Sequence, residues 1–183
     1  LPDARNYYAP TMTLPMGAKV DAGFSEQFER YAFVVLPDKR TFYIHKKALA
    51  PLPKEPQSEE KTRELIVENA SKYLNVQYRW GGKTHAGIDC SGLAFMACHM
   101  AGINIWRDAD FDKTPRLREI ERDAAQPGDL YFFNGHIAVA IGDGDFIHAT
   151  AAEGKVTYGT FEPKSAFYRK WYDENFIRAG SLF

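Results

Sequence analysis

The sequence predicts an α+β protein in two parts: a small all-β segment, then a larger domain in which helices precede antiparallel strands. Three observations carry this. Residues 1–49 hold short runs of β-branched and aromatic residues separated by turn signals, with no convincing helix. The stretch APLPKEPQSEE at 50–60 is rich in proline and charge and offers almost nothing to bury. After it come helical patterns and then strand-like ones, an order that argues α+β. We therefore place a β domain over residues 1–50, a linker over 51–60 and the main domain over 61–183.

In the first part the candidate strands are TMTL, AKVDAGF, YAFVVL and TFYIH, with Pro15-Met16-Gly17 and Pro37-Asp38 as turns. So short a segment reads as a small barrel or sheet. It has scarcely enough apolar surface to stand alone and is expected to pack on the second domain. Beyond the linker, SEEKTRELIVENASKYLN carries an apolar stripe at Leu65, Ile66, Ala70, Tyr73 and Leu74. Ser58 is its expected N-cap, Glu59 and Glu60 suit the helix dipole, and Lys61 leaves a full capping box absent. A glycine-rich loop then enters a second helix, CSGLAFMACHMA, which Gly102 ends. Residues 104–126 carry no assignable pattern. DLYFF, HIAVAI and DFIHAT read as strands, with Asp143-Gly144 as a hairpin turn, and FIRAG near the end as a last one.

Composition bounds the function. The 183 residues are 45% hydrophobic and 14% aromatic, ample for a folded core. A net charge of −1, from 23 basic and 24 acidic residues, gives no electrostatic reason to propose nucleic acid or an anionic membrane as partner. Cys90 and Cys98 fall in one helix about 12 Å apart, too far for a disulfide. No apolar run reaches the ~18–20 residues of a membrane span. A first residue of Leu1 rather than Met reads as a processed or trimmed chain.

The stretch YRWGGKTHAGIDCSG, residues 78–92, is where chemistry concentrates. Cys90 opens the second helix, where unpaired N–H groups and the macrodipole lower a thiol's pKa and can donate to an oxyanion. Gly81, Gly82, Gly87 and Gly92 leave bare backbone on either side, open to an approaching substrate. The plainer alternative is a small buried cysteine, which is how mid-helix Cys98 reads. A nucleophilic thiol needs a base, most often histidine. Of His45, His85, His99, His136 and His148, His136 stands at a strand mouth after Asn134-Gly135, and His148 lies on the next strand as a possible orienter. A two-residue turn would set His148 opposite Val139, about 10 Å along the strand from His136, so spacing alone leaves His148 open.

Tyr78-Arg79-Trp80-Gly81-Gly82 with Gly87-Ile88-Asp89-Cys90-Ser91-Gly92 resembles the nucleophile motif of NlpC/P60 cysteine peptidases. Pro127-Gly128-Asp129-Leu130 and Gly135-His136-Ile137-Ala138-Val139 are similar to that family's base-bearing strands, and Phe146-Ile147-His148-Ala149 to its third catalytic position, twelve residues on. The resemblance implies a papain-like fold and hydrolysis of the γ-D-glutamyl–diamino acid bond of bacterial cell-wall peptides, with meso-diaminopimelate or lysine as the diamino acid. It implies Cys90 as nucleophile, His136 as base, His148 as orienter and Tyr78 as an oxyanion or orienting group. LPDKRTFYIHKKALAP is faintly similar to the closing strands of bacterial SH3 domains, although Asp38-Lys39 and Phe42-Tyr43 depart from the usual pairs. Relatives with such domains take free muropeptides and hold the N-terminal amine on Asp and Ser beside the nucleophile. Asp89 and Ser91 fit those positions, and Trp80 is a further candidate substrate contact. For Asp89 and Ser91 the competing reading is helix capping, and for Tyr78 and Trp80 it is packing under the loop. No metal or organic cofactor is implied. A monomer acting on peptidoglycan peptides, secreted, periplasmic or envelope-associated, is the expectation. An amidase or acyltransferase on the same fold, or an inactive wall-binding protein, are the rivals.

Overall fold

The structure, a computed structural model, describes residues 12–24, 28–51 and 57–183, and the chain divides into two compact units, Leu1–Lys54 and Glu55–Phe183. In the first unit an antiparallel sheet is formed by β1 (Ala22–Phe24), β2 (Tyr31–Val35) and β3 (Thr41–His45), in that order. Ala32 and Val34 alternate inward on β2, as a half-buried strand requires. Lys39, at a φ of 67°, turns the β2–β3 hairpin. His45 caps a single 3₁₀ turn, Lys46–Ala48, by accepting from the Lys47 amide. The expected TMTL strand does not form where it is described: Thr11 lies outside the described residues, and 12–14 are irregular. Likewise only Ala22–Phe24 of AKVDAGF pairs, and residues 52–56 of the expected linker are outside the described set.

In the second unit, α1 (Glu59–Ser71) begins where Ser58 Oγ accepts from the Lys61 amide at 3.2 Å, with Glu59 and Glu60 against the positive end of the dipole. After it come the short paired strands β4 (Lys83–Thr84) and β5 (Gly87–Ile88), then α2 (Cys90–Met100). Gly102, at a φ of 86°, closes α2 in a Schellman arrangement: Ile103 N–H donates to Cys98 C=O and Gly102 N–H to His99 C=O. The two helices pack on each other, with the Asn69 amide donating to Ala97 C=O, and α2 also lies against the sheet.

That sheet has six antiparallel strands. They are β6 (Arg118–Ile120), β7 (Leu130–Phe133), β8 (His136–Gly142), β9 (Asp145–Thr150), β10 (Lys155–Thr160) and β11 (Phe176–Ser181), in the spatial order β10-β9-β8-β7-β11-β6. β6, β10 and the six-residue helix α3 (Lys170–Asn175) carry no sequence signal strong enough to be anticipated. Tyr131, Phe133, Phe146 and Tyr172 form an aromatic core with Phe161 and Phe176 packed against it. Arg63 of α1 ties the layers together. Its guanidinium meets the Asp129 carboxylate at 2.8 Å, donates to Pro127 C=O and Ser181 Oγ, and stacks 4.3 Å from the Phe183 ring. Among the described residues no helix is long and apolar enough to cross a membrane.

One local feature decides the site. Asp143 and Gly144 both take positive φ, 52° and 79°, as a two-residue hairpin turn demands. Between Ala140 and Gly142, however, the β8–β9 register shifts by one, with Gly142 at a φ of 109°. The extra residue of this β-bulge puts Ile147, not His148, opposite Val139. A one-residue slip exchanges the faces of a strand. His148 therefore falls opposite Ala138 and shares a face with His136, two residues along. The 10 Å offset expected from an unbulged hairpin is corrected accordingly.

Candidate active site

Cys90 is the first residue of α2 and only 7% exposed, and both cysteines are free thiols. The loop before it is drawn tightly under the helix. Asp89 caps α2 by accepting from the Gly92 amide at 2.6 Å, and its other oxygen accepts from the Gly81 amide at 2.7 Å. A Cβ on Gly92 would stand 2.2 Å from the Gly82 carbonyl oxygen, and one on Gly82 would stand 2.4 Å from that of Gly87. These three glycines thus allow the chain to pack on itself, which corrects the expectation that they clear a path for substrate. Gly81 alone of the four faces open space.

The thiol is not acidified. Burial pushes its pKa up and the Asp89 charge adds to that, outweighing the backbone N–H groups of Ile137, Ser91 and Cys90, which favour the thiolate. The helix N-terminus acts as expected in direction but loses to desolvation. The Ile137 contact is informative in another way. It sets the sulfur beside the opening of β8, where His136 stands.

His136 Nε2 and His148 Nδ1 lie 2.8 Å apart. His148 is 1% exposed, and its Nε2 lies 3.3 Å from the Tyr172 hydroxyl. Burial lowers the His136 pKa to about 4; burial and the neighbouring His136 lower that of His148 to about 3. Both imidazoles are therefore neutral near pH 7, each with one ring N–H. Since His136 Nε2 is taken by His148, Nδ1 is the His136 atom left to exchange a proton with a reacting group. Tyr78 is close enough to Cys90 and Asp89 that their charges, after burial, raise its phenol pKa.

Asp89 and Ser91 have a partner the sequence did not reveal. Arg107 donates to Ser91 Oγ at 2.8 Å, to Asp89 Oδ2 at 3.1 Å and to Gly82 C=O at 3.1 Å. It comes from the stretch without an assignable pattern, so no periodicity pointed to it. Trp171, 42% exposed with its ring 6.0 Å from that of His136, was hidden in an aromatic-rich tail, as was Tyr172. Trp80 projects from its turn, 83% exposed, in none of these contacts. The other histidines stand apart: His85 stacks on Tyr73, His99 on Phe95, and His45 caps its 3₁₀ turn. Among the described residues no three His, Cys, Asp or Glu side chains gather as a metal would need.

A thiol at a helix N-terminus beside an imidazole pair on an antiparallel sheet is the layout of a cysteine hydrolase. The chain belongs to the NlpC/P60 family, whose sequence profile matches residues 75–177, and this second unit is a peptidase domain of that family. It is 39% identical over 121 residues to dipeptidyl-peptidase 6 of Lysinibacillus sphaericus, covering 66% of this chain and 45% of that protein. It is 32% identical over 102 residues to the gamma-D-glutamyl-L-lysine dipeptidyl-peptidase of Bacillus cereus, covering 50% of this chain and 29% of that one. The chain thus spans less than half the length of these two curated relatives. A solved NlpC/P60 family protein from Bacillus cereus shares the fold at a TM-score of 0.71 and 23% identity, over 87% of this chain and 52% of that one.

Proposed function

We propose that this chain is a cysteine endopeptidase that cleaves the γ-D-glutamyl–diamino acid bond of cell-wall peptides in the cell envelope. The observation that carries the reading is the imidazole pair, 2.8 Å apart, on the strands next to the buried Cys90 thiol at its helix N-terminus. As Cys90 sulfur attacks the carbonyl carbon, its proton passes to His136 Nδ1, and the C–S bond forms. The oxyanion is held by backbone N–H groups around Cys90, with Tyr78 beside them. Collapse breaks the C–N bond while His136 returns the proton to the leaving amine. Water then attacks the thioester carbon, losing a proton to His136; the C–O bond forms, the C–S bond breaks to release the acid, and His136 returns the proton to sulfur. Starting from neutral partners, the chemistry requires no charged group to be stored in a buried site. The three-stranded first unit fits an SH3-like module accompanying the peptidase domain.

At the substrate's N-terminus two readings differ. A free amine of L-Ala held by Asp89 and Ser91 would make free muropeptides the substrate. The Arg107 guanidinium on both residues favours the second reading, in which an N-acylated peptide is accepted, because an arriving ammonium would compete with a resident cation. The test is cleavage of L-Ala-γ-D-Glu-meso-diaminopimelate, free and N-acetylated, followed by mass spectrometry. Cutting of the free peptide alone supports amine capture, and equal cutting of both supports the second reading. Cys90→Ala should abolish either cleavage while the folded spectrum persists, and retained turnover would sink the mechanism.

A further inference from the structure

We propose that Tyr172 is a positioning residue whose hydroxyl sets the tautomer of the imidazole pair; this rests on His136 being the base. Tyr172 is 6% exposed on α3, and its hydroxyl is the group the structure places on His148 Nε2, at 3.3 Å. The two rings meet edge to face at 5.4 Å, so the hydroxyl is held in place by packing and not by that bond alone.

Two neutral rings in contact share one proton between them, and it has two possible directions. In the first, His136 Nε2–H donates to His148 Nδ1, His148 Nε2–H donates to the Tyr172 oxygen, and His136 Nδ1 keeps its lone pair. In the second, the Tyr172 O–H donates to His148 Nε2, His148 Nδ1–H donates to His136 Nε2, and the His136 proton sits on Nδ1. Only the first leaves a base for Cys90. The Tyr172 hydroxyl can serve either arrangement, but the first depends on its oxygen, because without it the buried His148 Nε2–H has no acceptor among the described residues. A buried orphan N–H is tolerated less readily than an orphan acceptor. Removing the hydroxyl therefore pushes the pair toward the second, unreactive arrangement. The charged groups that bear on Tyr172 are Arg169 and Glu153, paired with each other at 3.0 Å; the titratable groups facing it are His148 and, through it, His136.

The test is Tyr172→Phe in the full chain, with Tyr168→Phe as control, since the Tyr168 hydroxyl bonds Asp173 on the same helix, away from the imidazoles. Three readouts are taken: peptide hydrolysis, the rate of Cys90 alkylation by iodoacetamide from pH 5 to 9, and imidazole ¹⁵N shifts, which report the tautomer directly. We expect kcat and the neutral-pH alkylation rate of Tyr172→Phe to fall together by about 10- to 100-fold, with KM unchanged. The His148 proton should move from Nε2 to Nδ1, and Tyr168→Phe should match the wild type. Unchanged ¹⁵N shifts in Tyr172→Phe would overturn the proposal, whether or not the rate falls, because any loss would then come from packing. A wild-type protein that cleaves no γ-D-glutamyl peptide would remove the proposed function, while alkylation and ¹⁵N shifts would still decide this inference.

Discussion

Acid should destabilise this protein through two side chains before most carboxylates titrate. His136 and His148 are kept neutral by burial, with pKa values lowered to about 4 and about 3, whereas in an unfolded chain each titrates near ~6.5. Below that value the unfolded chain binds protons that the folded one refuses, so stability is lost as pH falls toward the folded values. Integrating the proton difference from pH 7 to pH 5 gives a loss of about 2 kcal/mol per histidine, or about 4 kcal/mol for the pair. Because both folded values lie below 5, the result is governed by the unfolded chain. Against a typical total of ~5–15 kcal/mol this is a large fraction. His148→Asn removes one of the two groups and should cut the loss to about 2 kcal/mol. Urea unfolding of wild type and variant at pH 7, 6 and 5, extrapolated to water, measures both slopes. A wild-type stability that is flat over this range, or a variant that loses as much as the wild type, would refute burial of a neutral pair.

Two further outcomes follow from the packing. Asp129→Ala removes the buried carboxylate from the Arg63 guanidinium, which keeps Glu59, Pro127 C=O and Ser181 Oγ as partners, and should cost about 1.5–3 kcal/mol in urea unfolding; a loss below ~1 kcal/mol would mean the pair is dispensable. Gly142→Val forces a β-branched residue into a φ of 109° at the bulge and should cost about 1–3 kcal/mol, with kcat falling alongside. Full kcat in a destabilised Gly142→Val protein would separate the bulge from the alignment of the histidines.

Much of the catalytic unit was legible because its signals are local. Ser58, Gly102 and Asp143-Gly144 mark a helix start, a helix end and a turn through chemistry confined to a few neighbouring residues, and each does that work here. Cys90 at a helix N-terminus and His136 at a strand mouth were equally readable from their flanks. What escaped depends on contacts across the fold. The bulge at Ile141 leaves no mark in an otherwise regular HIAVAIG strand, so the pairing of His136 with His148 was out of reach of turn arithmetic. The thiol's raised pKa comes from the bulk of the domain around it, which no helix-terminus argument includes. Arg107 and Tyr172 reach their partners from segments without periodicity. Tyr172 lies 24 residues from His148, a separation at which sequence spacing carries no geometry.

The bulged hairpin has a mechanical corollary. Both imidazoles are borne by adjacent, hydrogen-bonded strands joined by a two-residue turn, so they belong to one piece of sheet. The sulfur rides on a different body, α2, held to that piece by packing and by the Ile137 amide. Proton transfer between sulfur and imidazole, as proposed, then depends on the gap between helix and hairpin as well as on the tautomer. Agents that compress or loosen that seam, hydrostatic pressure among them, would modulate turnover while the histidine-to-histidine distance holds steady.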